Sequence, residues 1–468
     1  MIRLTDNRFG ANAALLEPQS DSCLCYECRE NRKQGDPYQT VHKKAGIVRS
    51  LLQECADKPL RELSNDNLIV FAKEKDLDQH FISLRSQPGP EDAVRIETGN
   101  MMGVLCVREK GSSLKVQIKS RFDTGAKQYF LNYLLSKVFD VNFAELVSSN
   151  DDVMWDLLLA FVFVWKFRKA AEAGLYKQYH TNQYNDLNFR GKLDLDRHLQ
   201  RNYPLCDRIA YSKREITFDN PLNHLLRFAA AKIERKWPSM LESGSEVRSL
   251  VTALKQATPS WNSCGLSRIL NHKDCRFPVR QPFFSEYYEP LRKIARMLLL
   301  DEGANIFDDA SSGSETEISG VVFDGSWLWE EYIATILTDY IHAEYPIKGG
   351  IQVFAGEKEP IFYPDFLSND KKIVLDTKYK TSSSTGQPDD IQQIICYMYL
   401  TGAVRGGLIF PPGESCSTPL LTICPENQSP LRRWQNFTFN PIPDHETFSA
   451  YMKKEEQRLK NFSTERPT

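Results

Sequence analysis

The pattern of apolar and polar positions changes twice along the chain. Over residues 68–140, short apolar runs alternate with Gly, Pro and charged turns, which predicts strands followed by a helix. Over residues 150–300, apolar positions recur at helical spacing. After residue 320, helix-like and strand-like runs alternate. The pattern therefore predicts a multidomain α+β protein with a β-rich start, a mainly helical middle and an α/β C-terminal part.

The middle region, residues 146–307, is predicted to be basic as well as helical. One amphipathic helix over 153–173 closes at Gly174, and another over 216–236 starts near Asp219-Asn220-Pro221. A compact strand-like segment, 189–195, lies between them. Between residues 166 and 236, fifteen Lys or Arg outnumber eight Asp or Glu. This excess is typical of a phosphate-binding face, although Lys and Arg also cover ordinary solvated helix faces.

The stretch 363–380, YPDFLSNDKKIVLDTKYK, reads as a β-hairpin in the C-terminal part. Apolar runs at 361–367 and 372–379 flank turn residues at 368–370. Side chains two positions apart share one face of a strand, so the second run presents alternate residues to the same side. Charged residues two positions apart on the second run are therefore predicted to lie on the same face of the hairpin.

Three charged groups converge on this hairpin. Asp376 and Lys378 share one face, and Asp365 can meet them across the strand pair. Carboxylates that ligate Mg²⁺, with an ammonium near the attacking water, are the groups that phosphodiester hydrolysis uses. Taken alone, this spacing also fits a solvated hairpin with ordinary surface charges.

Two predicted helices flank the hairpin. The helix over 327–342 carries Glu330 at the border of its apolar face. The helix over 389–400 carries Gln393 and Tyr397 one turn apart. Glu330 and the pair Gln393 and Tyr397 can therefore face the hairpin. Polar pairs one turn apart are, however, also common on exposed helix faces.

Together with a further strand at 406–411, this order resembles the PD-(D/E)xK nuclease core, in the variant that carries a QxxxY helix. At the third motif position this chain has Asp where Glu is the commoner choice. The residues that carry the resemblance are Glu330, Pro364, Asp365, Asp376, Thr377, Lys378, Gln393 and Tyr397.

The resemblance implies a role for each of these residues. Asp365 and Asp376 would ligate Mg²⁺ or Mn²⁺, with the carbonyl of Thr377 as a further ligand and Glu330 completing the shell directly or through water. Lys378 would orient or activate the attacking water. Gln393 and Tyr397 would position the scissile phosphate or the flanking strand. We expect all five catalytic positions, Asp365, Asp376, Lys378, Gln393 and Tyr397, to lie at one site.

Composition narrows the context of this site. The formal net charge of −2 predicts no global attraction to nucleic acid, so any such surface is local. Eleven cysteines without a secretion signal indicate a reducing, cytoplasmic setting. The most apolar stretch, 157–165, is far shorter than the roughly 20 residues that span a bilayer, so no membrane partner is expected. Cys23, Cys25 and Cys28, with His42 and Cys55 further on, form an incomplete zinc ligand set, and zinc is not expected there.

The order of segments along the chain is similar to McrC, the endonuclease subunit family of McrBC-type modification-dependent restriction systems. The similarity covers about residues 95–412 and includes GVLCVREKGSSLKVQIKSRF, LNFRGKLDLDRHL, ITFDNPLNHLLRFAA and the nuclease motifs. It implies a partner, an AAA+ GTPase or ATPase of the McrB type, and a double-stranded DNA substrate, methylated or not. The chain has no GxxxxGK[ST] stretch, so GTP or ATP enters only through that partner. Residues 1–90 are not explained by the similarity.

Two other functions stay open at this point. The chain could be a non-catalytic activator or scaffold of a AAA+ ring, or a stand-alone PD-(D/E)xK repair nuclease. The presence of all three charged hairpin residues argues against the first. If the chain were a stand-alone repair nuclease, the 300 residues before the nuclease motifs would need another function.

These observations predict a division of the chain by function. The β-rich part has no catalytic group of its own and is interpreted as a partner-docking module, so its deletion is expected to leave a folded nuclease domain. Nine acidic residues and no Lys or Arg lie between 301 and 331, which favours an acidic linker before the nuclease. The predicted divisions are docking module 1–145, basic helical domain 146–307, linker 308–320, nuclease domain 321–445 and helical tail 446–468.

Overall fold

A computed structural model gives the fold of most of the chain. It forms a mixture of helices and several sheets in two compact units, and the predicted multidomain mixture of helices and strands is confirmed. The first unit combines Met1–Asp151 with Gly313–Thr468, and Asp152–Ser312 forms the second. The structure describes residues 2–8, 14–16, 48–63, 68–86, 94–109, 112–123, 129–141, 152–204, 207–242, 245–300, 317–343, 348–354, 360–380, 387–413, 420–423, 432–442 and 447–464.

The N-terminal segment of the first unit is rich in strands, because its short apolar runs are separated by turns. Cys23, Cys25, Cys28 and His42 lie outside the described residues, and Cys55 is buried. The strands are β1 (Ile2–Thr5), β2 (Ala14–Leu16), β3 (Leu68–Phe71), β4 (Ser83–Ser86), β5 (Val94–Glu97), β6 (Met101–Glu109) and β7 (Ser112–Lys119), and the helices are α1 (Leu60–Leu63) and α2 (Tyr129–Val138).

The second unit is an insertion between the two segments of the first. Its small antiparallel sheet has the order β8-β10-β9, and helices make up most of the rest. The elements are α3 (Asp152–Glu172), β8 (Gln178–Asp186), β9 (Lys192–Leu193), α4 (Leu195–Asn202), β10 (Ile209–Thr217), α5 (Pro221–Lys236), α6 (Pro238–Glu242), α7 (Ser245–Ala257), α8 (Leu266–Leu270), α9 (Lys273–Arg276) and α10 (Pro282–Leu300).

Two element boundaries in this unit differ from the predictions. The helix predicted over 216–236 begins at Pro221, because Ile216 and Thr217 pair with β8 as the last residues of β10. Of the strand-like segment 189–195, Lys192 and Leu193 form β9, and Asp194 then caps α4 by accepting a hydrogen bond from the amide of Arg197. In both cases the strand ends before the residue whose side chain caps the helix, and the helix begins directly after that residue.

The C-terminal segment of the first unit starts with a strand and ends with a helix. The helix predicted over 327–342 ends at Ile336, and its last three residues form a strand instead. The elements are β11 (Glu317–Asp324), α11 (Gly325–Ile336), β12 (Tyr340–His342), β13 (Ile351–Gln352), β14 (Ile361–Phe362), β15 (Phe366–Ser368), β16 (Ile373–Thr377), α12 (Pro388–Thr401), β17 (Arg405–Phe410), β18 (Leu421–Thr422), β19 (Arg433–Trp434), β20 (Phe437–Thr438) and α13 (Phe448–Thr464).

Strand β11 lies inside the N-terminal sheet, whose order is β1-β7-β6-β11-β3. It pairs antiparallel with β6 and parallel with β3. Of the predicted linker 308–320, residues 317–320 thus belong to a strand, and 308–316 lie outside the described residues. Gly103 of β6 has a φ of +125°, and a Cβ there would come within 2.2 Å of the Val321 carbonyl oxygen. The close approach of β6 and β11 therefore requires glycine.

The sheet of the C-terminal segment carries the predicted hairpin. Its order is β12-β15-β16-β17-β19-β18, with β20 paired to β17. The β15–β16 pair is antiparallel and β16–β17 is parallel. Helix α12 packs on β16 and β17 through its buried residues Ile394, Tyr397 and Met398. The hairpin is therefore held between a parallel neighbour and a helix.

Aromatic side chains join the two segments of the first unit. Phe130 of α2 packs on Trp329 of α11 with ring centroids 6.0 Å apart. The hydroxyls of Tyr133 and Tyr332 both donate hydrogen bonds to Glu456 of α13, at 2.8 and 3.1 Å. Helix α11 therefore packs against a helix from the N-terminal segment, α2, and against the last helix, α13. Among the helices that the structure describes, none is long and apolar enough to cross a membrane.

Candidate active site

The β15–β16 hairpin brings two aspartates together. Its register pairs Phe366 with Leu375, so the next positions, Asp365 and Asp376, face each other. Asp365 Oδ2 accepts hydrogen bonds from the amide and the hydroxyl of Thr377, at 2.8 and 2.7 Å. Asp376 lies on β16 and is buried. Backbone pairing and Thr377 thus set the geometry of the carboxylate pair.

Both carboxylates have a raised affinity for protons. Burial raises the pKa of Asp365 to about 7, and the charge of Asp376 contributes in the same direction. Burial also raises the pKa of Asp376, although Lys378 opposes it. Two buried carboxylates that hold protons this strongly form a site that gains from a nearby cation.

Lys378 supplies one positive charge next to the pair. Its Nζ lies 2.6 Å from Asp376 Oδ2 and 3.6 Å from Asp390 Oδ1. Burial alone would lower the pKa of Lys378, but the Asp376 carboxylate outweighs burial and raises it. The amine is therefore protonated at neutral pH and can donate hydrogen bonds but not accept a proton.

Gln393 and Tyr397 extend this arrangement across α12. Lys378 Nζ donates a hydrogen bond to Gln393 Oε1 at 3.1 Å, and Gln393 Nε2 donates to the Tyr397 hydroxyl at 2.9 Å. The Tyr397 hydroxyl donates to the carbonyl of Tyr363 at 3.4 Å. Tyr397 is buried, so the pair does not lie on an exposed helix face. The structure thus brings all five predicted catalytic positions to one site.

Glu330 reaches the same site from α11. It is 5% exposed, and its carboxylate contacts the ammonium of Lys73 and lies 3.0 Å from His342 Nε2. Burial alone would raise the pKa of Glu330, but the hydrogen bond with His342 and the charge of Lys73 outweigh it, and the pKa is lowered. Glu330 therefore favours its ionised form and is already paired with the ammonium of Lys73 and the imidazole of His342.

Sequence reasoning missed Lys73 and His342. Lys73 lies 257 positions before Glu330, at the end of a run that was interpreted only as a strand. His342 was placed at the end of the predicted helix 327–342, whereas β12 turns it back toward Glu330. The buried acidic residue in α11 was a signal that cationic partners were needed, but it could not say where in the chain they lie.

The donor set at the hairpin fits a hard divalent cation. Among the described residues, no group of three or more His, Cys, Asp or Glu side chains is arranged to hold a metal ion. The site instead offers the pair Asp365 and Asp376, and Asp376 Oδ2 is buried and forms an ion pair with Lys378 Nζ at 2.6 Å. Mg²⁺ is commonly held by one or two carboxylates together with water and substrate phosphate. The pair matches that pattern, whereas the oxygens of Glu330 face Lys73 and His342.

The residue after Lys378 anchors the site to the N-terminal sheet. Tyr379 is buried, and its hydroxyl lies 2.8 Å from Ser120 Oγ. The guanidinium of Arg121 contacts the Tyr379 carbonyl and lies 4.7 Å from the centroid of its ring. A Cβ at Gly325 would come within 2.4 Å of that ring. The end of β16 is therefore held by the N-terminal segment.

Comparison with known proteins gives a family match. A family model described as McrBC 5-methylcytosine restriction system component matches residues 96–411. No curated protein matches the chain. The matched range covers more than half of the 468 residues.

Two solved structures from Thermococcus gammatolerans are similar to the chain. One is a refined half-complex from a tetradecameric assembly of McrB AAA+ hexamers with bound McrC; it is 13% identical, covers 98% of this chain and 99% of that chain, and has a TM-score of 0.42. The other is a cryo-EM structure of the McrBC complex; it is 15% identical, covers 62% of this chain and 80% of that chain, and has a TM-score of 0.27. Both TM-scores are below 0.5, so the family assignment rests on the family model alone.

Proposed function

The chain belongs to the McrBC family of 5-methylcytosine restriction system components, and we propose that it is the subunit that hydrolyses DNA phosphodiester bonds with Mg²⁺ or Mn²⁺. The observation that carries the proposal is the facing pair Asp365 and Asp376, of which Asp376 is buried and lies 2.6 Å from Lys378 Nζ. The hairpin β15–β16, the parallel strand β17 and the helices α11 and α12 fit a PD-(D/E)xK restriction-endonuclease-like domain.

In this proposal the carboxylate pair holds the metal, with the carbonyl of Thr377 as a further ligand and Glu330 contributing through water. When bound, Mg²⁺ supplies positive charge at the phosphate and a coordinated water of lowered pKa. Protonated Lys378 donates hydrogen bonds to the attacking water or to a phosphate oxygen. The water oxygen would bond to phosphorus as one of its protons passes to solvent, and the bond from phosphorus to the leaving sugar oxygen would break as that oxygen takes up a proton from solvent.

Gln393 and Tyr397 position the side chain of Lys378 and do not donate or accept the proton in the reaction. Gln393 accepts a hydrogen bond from the ammonium of Lys378, and Tyr397 holds the amide of Gln393 in turn. A Lys side chain has many rotamers, so two fixed partners reduce the conformational entropy that it loses when it engages the phosphate. The pair therefore keeps Lys378 aimed at the reacting group.

The partner and substrate follow from the family. The sequence lacks a GxxxxGK[ST] stretch, so nucleotide hydrolysis has to come from another protein. The solved complex from Thermococcus gammatolerans contains McrB AAA+ hexamers with bound McrC. We extend this to a AAA+ GTPase or ATPase of the McrB type as the partner, and to double-stranded DNA, methylated or not, as the substrate. Residues 1–145 stay the predicted docking element, and the basic residues of the second unit stay the predicted DNA guide.

The replacement Asp376→Ala tests the proposal. We expect it to abolish cleavage in the presence of the AAA+ partner and its nucleotide while the complex still assembles. Asp389→Ala is the matched control, because Asp389 is an exposed acidic residue in the first turn of α12. Cleavage by Asp376→Ala at the wild-type rate would refute the assignment. An assembled wild-type complex that never cuts DNA would instead support the non-catalytic scaffold.

A further inference from the structure

Lys73 reaches the candidate active site from the N-terminal segment. It lies two residues after β3, which runs parallel to β11 in the register Phe71 with Phe323. Strand β11 leads directly into α11, which carries Glu330. Because parallel strands end at the same edge of a sheet, the chain after β3 meets the first turns of α11. The backbone topology therefore places Lys73 beside Glu330.

Aromatic packing fixes this position. The ring of Phe71 stacks on Phe323 at 5.0 Å and on Trp327 at 5.6 Å. It also packs edge-on against Phe139 at 5.5 Å. Phe71, two residues before Lys73, is thus enclosed by both segments of the unit. The start of the Lys73 side chain is therefore rigidly placed, as a side chain at a catalytic site needs to be.

The ammonium of Lys73 faces a concentration of negative charge. Burial alone would lower its pKa, but the charges of Asp365, Glu330 and Asp376 outweigh burial and raise it. The side chain is 33% exposed, whereas that of Glu330 is 7% exposed. Lys73 therefore combines a charged partner inside the site with access from solvent.

Lys73 and Lys378 reach the site from different elements and bind different carboxylates. Lys378 is bound to Asp376, Asp390 and Gln393, and it approaches from the end of β16. Lys73 is bound to Glu330 and approaches from the end of β3. A phosphate that enters between them would meet two ammonium groups. The additional positive charge would also oppose a divalent cation at the pair.

We propose that Lys73 is a second phosphate-facing cation of the active site, which holds Glu330 and binds the DNA backbone at the cost of weaker metal binding. The inference rests on the proposed nuclease function. It assigns two opposite effects to one ammonium group: attraction of the anionic substrate and repulsion of the metal. A lysine that only neutralised Glu330 would stabilise the fold and leave KM for DNA unchanged.

The test compares Lys73→Met, Lys73→Arg and Lys75→Met in the full chain. Lys75 is exposed and lies two positions away, so it controls for loss of a surface charge. We measure Mn²⁺ binding to the purified chain by calorimetry, and KM and kcat for DNA with the AAA+ partner and its nucleotide. In Lys73→Met we expect Mn²⁺ to bind about three- to tenfold more tightly and KM for DNA to rise about five- to tenfold. Lys73→Arg retains the charge and should stay near wild type.

Two results would overturn the inference. One is a Lys73→Met protein that melts earlier but matches Lys75→Met in Mn²⁺ affinity and in KM. The other concerns a double variant, Lys73→Gln with Glu330→Gln, which removes the ion pair as a whole and serves if Lys73→Met does not fold. We expect the double variant to fold and to keep the raised KM; a KM equal to that of Glu330→Gln alone would show that Lys73 acts only through Glu330.

Failure of the inference is distinguishable from failure of the proposed function. If the wild-type chain neither binds Mn²⁺ nor cuts DNA with its partner, the nuclease assignment fails and the inference fails with it. If the wild type does both and Lys73→Met behaves as Lys75→Met, the nuclease assignment stands and Lys73 is a structural residue.

Discussion

Two aspartate motifs, a partly exposed one in the second unit and a more enclosed pair in the first, show how similar residues serve different purposes. In the second unit, Asp219 lies 2.6 Å from His224 Nε2 and accepts a hydrogen bond from the amide of Ser260 at 3.1 Å. Burial alone would raise the pKa of Asp219, but these hydrogen bonds outweigh it, and the pKa is lowered. In the first unit, Asp365 and Asp376 face each other, and burial raises the pKa of both.

The difference separates a structural carboxylate from a reactive one. A carboxylate whose charge is met by local donors stabilises the fold as it stands. Two facing carboxylates whose pKa stays raised despite Lys378 and Thr377 still favour proton uptake, which indicates a site suited to an additional cation. Partners of a buried charge are therefore more informative than its burial alone.

The largest expected effect comes from removing one negative charge at the pair. Asp376→Asn keeps the size of the side chain, and we expect cleavage to fall by about 10³-fold or more, about 4 kcal/mol of barrier. The same change should raise the melting temperature measured in EDTA, because it ends the repulsion of Asp365. Asp219→Asn should lower it, since a satisfied charge is lost. A lower melting temperature for both variants would contradict the comparison.

The next effect concerns the cap beside Asp219. Asn220 caps α5 by accepting a hydrogen bond from the amide of Asn223 at 3.0 Å, and it donates one to the carbonyl of Tyr176 at 3.1 Å. Asn220→Ala removes the cap and one hydrogen bond to the Tyr176 carbonyl, which still accepts one from Asn223 Nδ2 at 2.8 Å, so we expect α5 to lose about 1–3 kcal/mol of local stability. Hydrogen exchange of α5 measures it. Asn188→Ala, at an exposed position, is the control and should leave α5 unchanged.

The two units should also respond differently to pH. Burial raises the pKa of Asp6 to about 6, of Asp123 to about 7 and of Asp324 to about 6, all in the first unit. These groups take up protons on folding, so stability of that unit should increase as pH falls from 7 toward 5, by about 1–3 kcal/mol. In the second unit the lowered pKa of Asp219 and Glu289 predicts a loss of stability only below about pH 4.

Hydrogen exchange, corrected for its intrinsic dependence on pH, follows both units in one sample. Strand β6 reports on the first unit and helix α10 on the second. We expect β6 to gain protection between pH 7 and 5 while α10 stays constant. Equal changes in both elements would show that the buried carboxylates do not set the pH response.

The smallest effect is expected on α12. Gln393→Ala removes the acceptor that holds Lys378, and we expect cleavage to fall by about tenfold, while Mn²⁺ binding by calorimetry stays at the wild-type level. Tyr397→Phe keeps the ring packing and loses one hydrogen bond to Gln393, so its effect should be about threefold. Unchanged rates for Gln393→Ala at limiting DNA would mean that the contact seen in the structure does not guide the substrate.

The sequence predicted the site best where its residues are close along the chain. Strand alternation was enough to bring Asp365, Asp376 and Lys378 together, and helical spacing was enough for Gln393 and Tyr397. Lys73 could not be found in this way, because pairing of β3 with β11 creates the contact and no local pattern records it. Residues 317–320 were likewise predicted to be part of an acidic linker, because no local pattern records that β11 pairs with β6 and β3.

Pairing of β11 also changes the expected result of truncation. Deleting residues 1–145 would remove β6 and β3, the two neighbours of β11, and Arg121, which holds Tyr379. It would also expose the aromatic face of α11 that packs on α2. We therefore expect the truncated chain to lose the folded nuclease region, rather than only its contact with a partner.

The interrupted first sheet sets an order of events during protein synthesis. Strands β6 and β7 leave the ribosome long before β11, which begins 317 − 109 = 208 residues after β6 ends. At about 5–20 residues per second, this interval is roughly 10–40 s. During it β3 has no neighbour in its sheet, and Lys73 has no Glu330 to bind. A polypeptide released early would therefore lack the β15–β16 hairpin and the strand β11 that positions its surroundings, so incomplete copies do not carry the aspartate pair.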